Sequence, residues 1–199
     1  MRTKLEKGTY GYLKRSRFYA WKKAGLMLSV PVLIFIVSWM IHGTRENVIT
    51  VVAVVGCLPG CNQVVRAILA SRYPSMDREL WEKTEAVRGT LPVLYENVFT
   101  SYEKNYYVDC IAVSGRETVG YSSASDLDAR EAAEHIRSQL RKSSYKQNVI
   151  ILKEENAFLE RLGRLAGSDP EPVPFKEDDR YPGWTRDEIV LHLLQAISL

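Results

Sequence analysis

Residues 24–41 read AGLMLSVPVLIFIVSWMI, eighteen in a row without a charge, and this segment constrains the chain more than any other part of it. As a helix it would be about 27 Å long at 1.5 Å per residue, close to the ~30 Å hydrocarbon core of a bilayer. A signal peptide is the competing reading, but its apolar core would be about 7–15 residues long and would end in small residues. This one ends Trp39-Met40-Ile41-His42. A second apolar stretch, residues 48–70, begins after the short turn His42-Gly43-Thr44-Arg45-Glu46-Asn47. Two spans joined so tightly predict an antiparallel transmembrane hairpin over residues 24–70.

Charge sets the expected orientation. Arg2, Lys4, Lys7, Lys14, Arg15, Arg17, Lys22 and Lys23 precede the first span, whereas the turn carries only Arg45. The positive-inside bias therefore places both termini in the cytoplasm, with the plasma membrane as the expected location. Tyr10, Tyr12, Phe18, Tyr19 and Trp21 lie among those cations, so residues 1–23 read as a basic, aromatic segment at the headgroup interface. In the second span Asn62, Gln63 and Arg66 fall toward the cytoplasmic end, where Arg66 can snorkel to the headgroups. The net charge of +3 divides into +8 for residues 1–71 and −5 for the remainder. An acidic soluble part argues against nucleic acid, whose phosphates require clustered Lys and Arg. Three cysteines, two of them inside an apolar segment, cannot form a disulfide framework and suit a reducing compartment.

Within the second span, Gly56 and Gly60 form a GxxxG, and Cys57 and Cys61 repeat its spacing one residue on. One helix face is thereby stripped of bulk, which allows another helix to approach closely. The expectation is helix packing, within the hairpin or with a second copy or another membrane protein. Two thiols without a His or acidic neighbour make a poor metal site. Pro59 is expected to kink the helix.

Beyond Tyr73-Pro74 the pattern changes to that of an α/β (α+β) domain, residues 71–166, in the order α-β-β-β-α-β-α. Residues 76–88 read as a polar helix with Leu80, Trp81, Thr84 and Val87 to one side. Residues 91–102, 106–115 and 117–123 are rich in β-branched and aromatic residues and predict a three-strand meander. Ser125 and Asp128 open a helix running to about residue 142, VIILK after Asn148 reads as a buried strand, and residues 156–166 form a further helix. A proline-rich linker, 167–184, precedes Thr185-Arg186-Asp187-Glu188, a capping box that starts a C-terminal amphipathic helix over 185–199. Its stripe of Ile189, Val190, Leu193, Leu194 and Ile197 must be covered, by the chain's own core or by a partner.

This element order resembles the core of the PD-(D/E)xK nuclease family, in which an Asp on the second strand and a Glu/Asp-x-Lys on the third hold a divalent metal. The resemblance places Asp109 where the first carboxylate would stand. The third strand supplies Tyr121-Ser122-Ser123 instead of the carboxylate and lysine, so what it implies is a nuclease-like hydrolase fold with an inactive site. Read from alternation alone, Asp109 lies between apolar Val108 and Cys110 and is expected to face solvent. The pattern LEKGTYGYLK, followed by HGTRENVITVVAVVGCLPGC, resembles small two-span membrane proteins of Gram-positive bacteria that have no assigned function. Some of these carry an O-linked GlcNAc transferase-like label. That resemblance implies the hairpin; the chain has neither a repeat array nor a recognisable nucleotide-sugar site.

His42, His135 and His192 are scattered and read as solvated or half-buried. Ser122, Ser123 and Ser125 read as helix-capping residues, and Arg137, Arg141, Lys142 and Lys146 as a solvated helix face. No phosphate-binding loop, zinc-protease motif or nucleophile elbow occurs. The expected role is a membrane-anchored, non-enzymatic interaction or scaffold module, with no cofactor or metal. The alternatives are a membrane-tethered nuclease-like hydrolase relying on Asp109 and an accessory subunit of a membrane transporter.

Overall fold

The charge-free run of residues 24–41 and the apolar first part of residues 48–70 form helices, whose intrahelical hydrogen bonds satisfy the backbone without outside partners. The computed structural model describes residues 7–42, 48–101, 104–168, 173, 175 and 181–198, the side chains of His42 and Thr50 excepted. The turn with Arg45, the cations Arg2 and Lys4, and most of the proline-rich linker lie outside the described residues. Two compact units result: residues 13–74 form one, and the flanking residue 7–12 segment with residues 75 onward forms the other.

The first unit contains α1 (Tyr12–His42) and α2 (Val48–Ser71). Both are long and apolar enough to cross a membrane. Trp21 Nε1 donates to Ser71 Oγ at 3.1 Å, Gly60 lies against Leu28, and Gly56 lies beside Pro31. As the α1 number rises the α2 number falls, so the helices are antiparallel. At 31 residues α1 is about 46 Å long, more than a bilayer core needs. The excess is the basic, aromatic first part.

The second unit is a four-stranded mixed sheet between two helical layers. Strands β1 (Val93–Thr100), β2 (Asn105–Ser114) and β3 (Glu117–Tyr121) form the antiparallel meander, and β4 (Asn148–Leu152) joins β3 in parallel, giving the order β1-β2-β3-β4. The parallel pairing requires a crossover, which α4 (Ala129–Lys142) supplies. Asp128 caps α4 by accepting from the amides of Arg130 and Glu131, so Asp128, rather than Ser125, marks the helix start. The remaining helices are α3 (Arg78–Val87), α5 (Glu155–Gly167) and α6 (Arg186–Ile197), the last opened by the Thr185/Glu188 capping box. The order in this unit is therefore α-β-β-β-α-β-α followed by a final helix.

Each face of the sheet has its own core. On one, Leu94, Ile111, Val113, Val149 and Ile151 meet Ala132, Ile136 and Leu140 of α4 and Val190 and Leu194 of α6. On the other, Tyr95, Cys110, Ala112, Val119 and Tyr121 meet Leu80 of α3 and Phe158 and Leu162 of α5. Sheets covered on both sides have buried strands throughout, and nine of the ten residues of β2 are buried.

The segment before α1 and the C-terminal helix both lie within the unit of the sheet. Residues 7–10 run beside β1: the amide of Tyr95 donates to Gly8 O at 2.8 Å, and Tyr10 stacks on Trp81 with centroids 4.8 Å apart. Tyr10 thus packs on α3. The α6 stripe faces the sheet, with Ile189, Val190 and Leu194 buried and Leu193 and Ile197 partly so, while Ser198 bridges to Phe99 at the edge of β1.

Candidate functional site

In β1 and β2 the inward-facing residues change parity halfway along. Leu94 faces the α4/α6 layer, and so does Phe99, five residues on; Ile111 and Val113 face it, and so do Tyr106 and Val108. Strict alternation would put Phe99, Tyr106 and Val108 on the other side. The slip occurs in both strands at one level, between the pairs Tyr95↔Cys110 and Asn97↔Val108, the interval that holds Glu96 on β1 and Asp109 on β2. Glu96 has φ 54, the left-handed conformation that only a locally over-determined non-glycine residue adopts.

Two carboxylates are consequently buried at the irregularity, Glu96 and Asp109 each 2% exposed. This corrects the expectation that Asp109 faces solvent: alternation fails at the residue to which it was applied. Asp109 Oδ1 accepts from the Tyr107 hydroxyl at 3.0 Å, and Oδ2 accepts from the amide of Ser123 at 2.6 Å. The Ser122 hydroxyl donates to Tyr107 O at 2.6 Å, tying the end of β3 to the same place. Glu96 Oε1 accepts from the Ser75 hydroxyl and from the amide of Met76, the latter at 3.1 Å.

Burial is the main influence on Asp109 and raises its pKa above the ordinary carboxylate value, opposed by the hydrogen bonds from Ser123 and Tyr107. Burial also raises Tyr107, helped by the charges of Asp109 and Glu96. Tyr107 therefore stays protonated and donates. Cys110, the next residue, is fully buried and its thiol is pushed well up by that burial, an inert setting for a cysteine. Chemically, the arrangement is a carboxylate whose two oxygens are engaged by protein donors. Among the described residues, no group of three or more His, Cys, Asp or Glu side chains is placed to hold a metal ion.

The other sequence candidates are dispersed. His135 packs on Tyr106, and His192 packs between Tyr181 and Trp184 with centroids 5.2 and 5.5 Å away. Ser123 serves Asp109 through its backbone. Arg137 donates to Val149 O at 3.1 Å, while Arg141, Lys142 and Lys146 are exposed. Glu96 and Tyr107 were not anticipated; the signal available for Tyr107 was its two-residue spacing from Asp109 along one strand.

In the helical pair, the small residues at the seam follow a spacing of seven as well as four. Among the described residues, those buried in α2 are Ala53, Gly60 and Ala67, and α1 answers with Ala24, Pro31 and Ser38. Seven-residue spacing keeps one seam facing its partner, and small side chains let the backbones come close. Gly60 is the tightest point, since a Cβ there would stand 2.6 Å from Leu28 Cδ2, whereas one at Gly56 would stand 3.5 Å from Pro31 Cβ. Gly56 and Cys61 are exposed and Cys57 is half-buried. Gly60→Leu is accordingly expected to destabilise the pair by about 1–3 kcal/mol through overpacking, and Gly56→Ala to change little. Thermal unfolding in detergent, followed by helical circular dichroism, measures both; equal effects would refute the seam.

Compared with family models, curated proteins and solved structures, the chain matches none.

Proposed function

We propose that this protein is a membrane-anchored, non-enzymatic interaction module whose α1–α2 hairpin crosses the plasma membrane and whose α/β domain lies in the cytoplasm. The observation that carries the reading is the outward surface of the helical pair. Leu26, Met40 and Val48 are 71, 80 and 79% exposed, and Val30, Leu33, Val51, Val54, Leu58 and Ile68 are exposed with them. A water-soluble monomer does not leave so large a continuous apolar surface uncovered, and lipid is its natural solvent. Orientation rests on the cations ahead of the first span, by the positive-inside bias.

Washing membranes with alkaline carbonate should leave the protein in the pellet, because a spanning hairpin resists what strips peripheral proteins. Recovery in the supernatant would overturn the anchor. A reporter active only after export, fused at Leu199, should be inactive, and a cytoplasmic reporter active there.

The non-enzymatic part rests on Asp109: its oxygens accept from Tyr107 and Ser123, and the segment Tyr121-Ser122-Ser123, which ends β3 and follows it, has no carboxylate or lysine. A pull-down from gently solubilised membranes tests the module reading directly. Co-purification of a stoichiometric membrane or cytoplasmic partner, or of a second copy, is expected. Metal-dependent hydrolysis of nucleic acid by the purified full chain, lost in Asp109→Asn, would replace it with the hydrolase reading.

A further inference from the structure

Within the helical pair, one end carries a charge pattern that packing does not explain. Antiparallel pairing sets the first part of α1 beside the last part of α2, where Trp21 Nε1 donates to Ser71 Oγ at 3.1 Å. Five cations of α1, from Lys14 to Lys23, and Arg66 and Arg72 near the end of α2 gather there. Residues 12–74 include one acidic residue, Glu46, and it belongs to the turn that joins the other ends of the helices. In the domain, by contrast, Arg78, Lys83, Arg88, Lys104, Arg161 and Arg164 each pair with a glutamate.

Arg17 turns this cluster into a site. It continues the seven-residue spacing of the α1 seam, Arg17, Ala24, Pro31 and Ser38, and lies one turn before Trp21 on the same side of the helix. Its Nε is buried and donates to no acceptor in the protein. Lys14, Lys22, Lys23, Arg66 and Arg72 are exposed at the same end. A guanidinium remains charged at every physiological pH, and a charge taken out of water without a partner is strongly unfavourable. Snorkelling to the headgroups suits the exposed Arg66, but it does not serve the buried Nε of Arg17. Such a group calls for an anion.

The level of the cluster along the helices says which anion. Lys22 and Lys23 adjoin the charge-free run, and Arg17 stands about 10 Å before it. The set therefore covers the headgroup layer, which is the difference between the ~30 Å hydrocarbon core and the ~40–45 Å bilayer. Phe18, Tyr19 and Trp21 are exposed among the cations, as aromatic side chains at a membrane interface are. A planar guanidinium matches a phosphate with two parallel hydrogen bonds, and basic recesses between membrane helices take anionic headgroups. We propose that the α1–α2 seam at Arg17 binds the phosphate of an anionic phospholipid, with Arg17 as the specific donor and the neighbouring cations as the attracting field. The inference rests on the anchor reading and names the lipid class that this reading leaves open.

Native mass spectrometry of the full chain, purified in maltoside micelles and supplied with phosphatidylglycerol or phosphatidylcholine, tests it. One phosphatidylglycerol per chain should be retained, and phosphatidylcholine, whose own cation offsets its phosphate, should be lost. Arg17→Gln should weaken retention about tenfold or more, the worth of a hydrogen bond to a charged group. Lys14→Gln, which removes the same charge from an exposed position, should weaken it far less. Arg17→Lys keeps the charge without the planar fork, should fall between the two, and serves if Arg17→Gln does not fold. Equal losses in Arg17→Gln and Lys14→Gln would reduce the site to diffuse attraction and overturn it. Displacement of the lipid by excess inorganic phosphate would make this a site for free phosphate and overturn the lipid assignment. Carbonate washing separates these results from the anchor: a chain that stays in the pellet yet retains no phosphatidylglycerol fails the site alone, and a chain released by carbonate fails the anchor.

Discussion

Deleting residues 185–199 is expected to unfold the domain, with loss of the cooperative thermal transition and rapid proteolysis within residues 75–168. Ile189, Val190 and Leu194 of α6 are each at most 1% exposed. Covering a large aliphatic side chain is worth about 1.5–3 kcal/mol, so the three together contribute roughly 5–9 kcal/mol, a large part of the ~5–15 kcal/mol by which a domain is stable. The deletion also uncovers Leu94, Phe99, Ile111 and Val113 on the sheet. Leu194→Ala is the graded version, expected to cost about 2–5 kcal/mol. Limited proteolysis and denaturant unfolding of the full chain in detergent read both. A truncated chain that keeps its sharp transition would mean that α6 is a detachable recognition element after all.

Asp109→Ala should be the second most damaging change. It leaves the Tyr107 hydroxyl and the Ser123 amide without their acceptor in a buried place, and each unsatisfied group costs about 1–3 kcal/mol. Asp109→Asn should be far milder, since an amide oxygen still accepts from Ser123 and the Tyr107 hydroxyl can turn to accept from the amide nitrogen. The pair of variants also fixes a pH dependence. Burial raises the folded-state pKa of Asp109, so between the unfolded and folded values the native state holds more protons than the unfolded state. The contribution of Asp109 to stability is therefore greatest below the unfolded value and declines as pH rises through the folded one. Asp109→Asn should remove that component of the decline. Unfolding midpoints across the acid range would show it as a flatter curve for the variant; parallel curves would refute the assignment.

The element order was legible because it depends on periodicity and on local chemistry. The meander showed in the β-branched runs, the crossover helix in Ala132, Ala133, Ile136 and Leu140, and α6 in its capping box. Its stripe could be seen, although what covers it could not, since Leu193 and Val190 look the same against a sheet or against a partner. Asp109 was legible as a candidate and misread in setting, because alternation assumes an unbroken pleat and the slip at Glu96 involves a left-handed residue that is not a glycine. Nothing in the residues around Glu96 announces that. The strap at Gly8 was equally hidden: basic and aromatic composition reads the same at a headgroup layer and on a sheet edge, and only tertiary contacts separate them. In the helical pair, GxxxG drew attention to Gly56 and Gly60 together, while the buried set Ala53, Gly60 and Ala67 shares only one member with it.

Segment 7–10 and α6 meet: Lys7 Nζ donates to Ser198 O at 3.4 Å and Gln195 Nε2 donates to Lys7 O. The two are far apart in order of synthesis, and β1 lies between them on the ribosome's schedule. At about 5–20 residues per second, some 4–15 seconds roughly separate completion of the meander from emergence of α6. For that interval Phe99, Ile111 and Val113 lack the helix that covers them. A chaperone acting on the nascent chain would act in this window, and slow codons before residue 185 would prolong it.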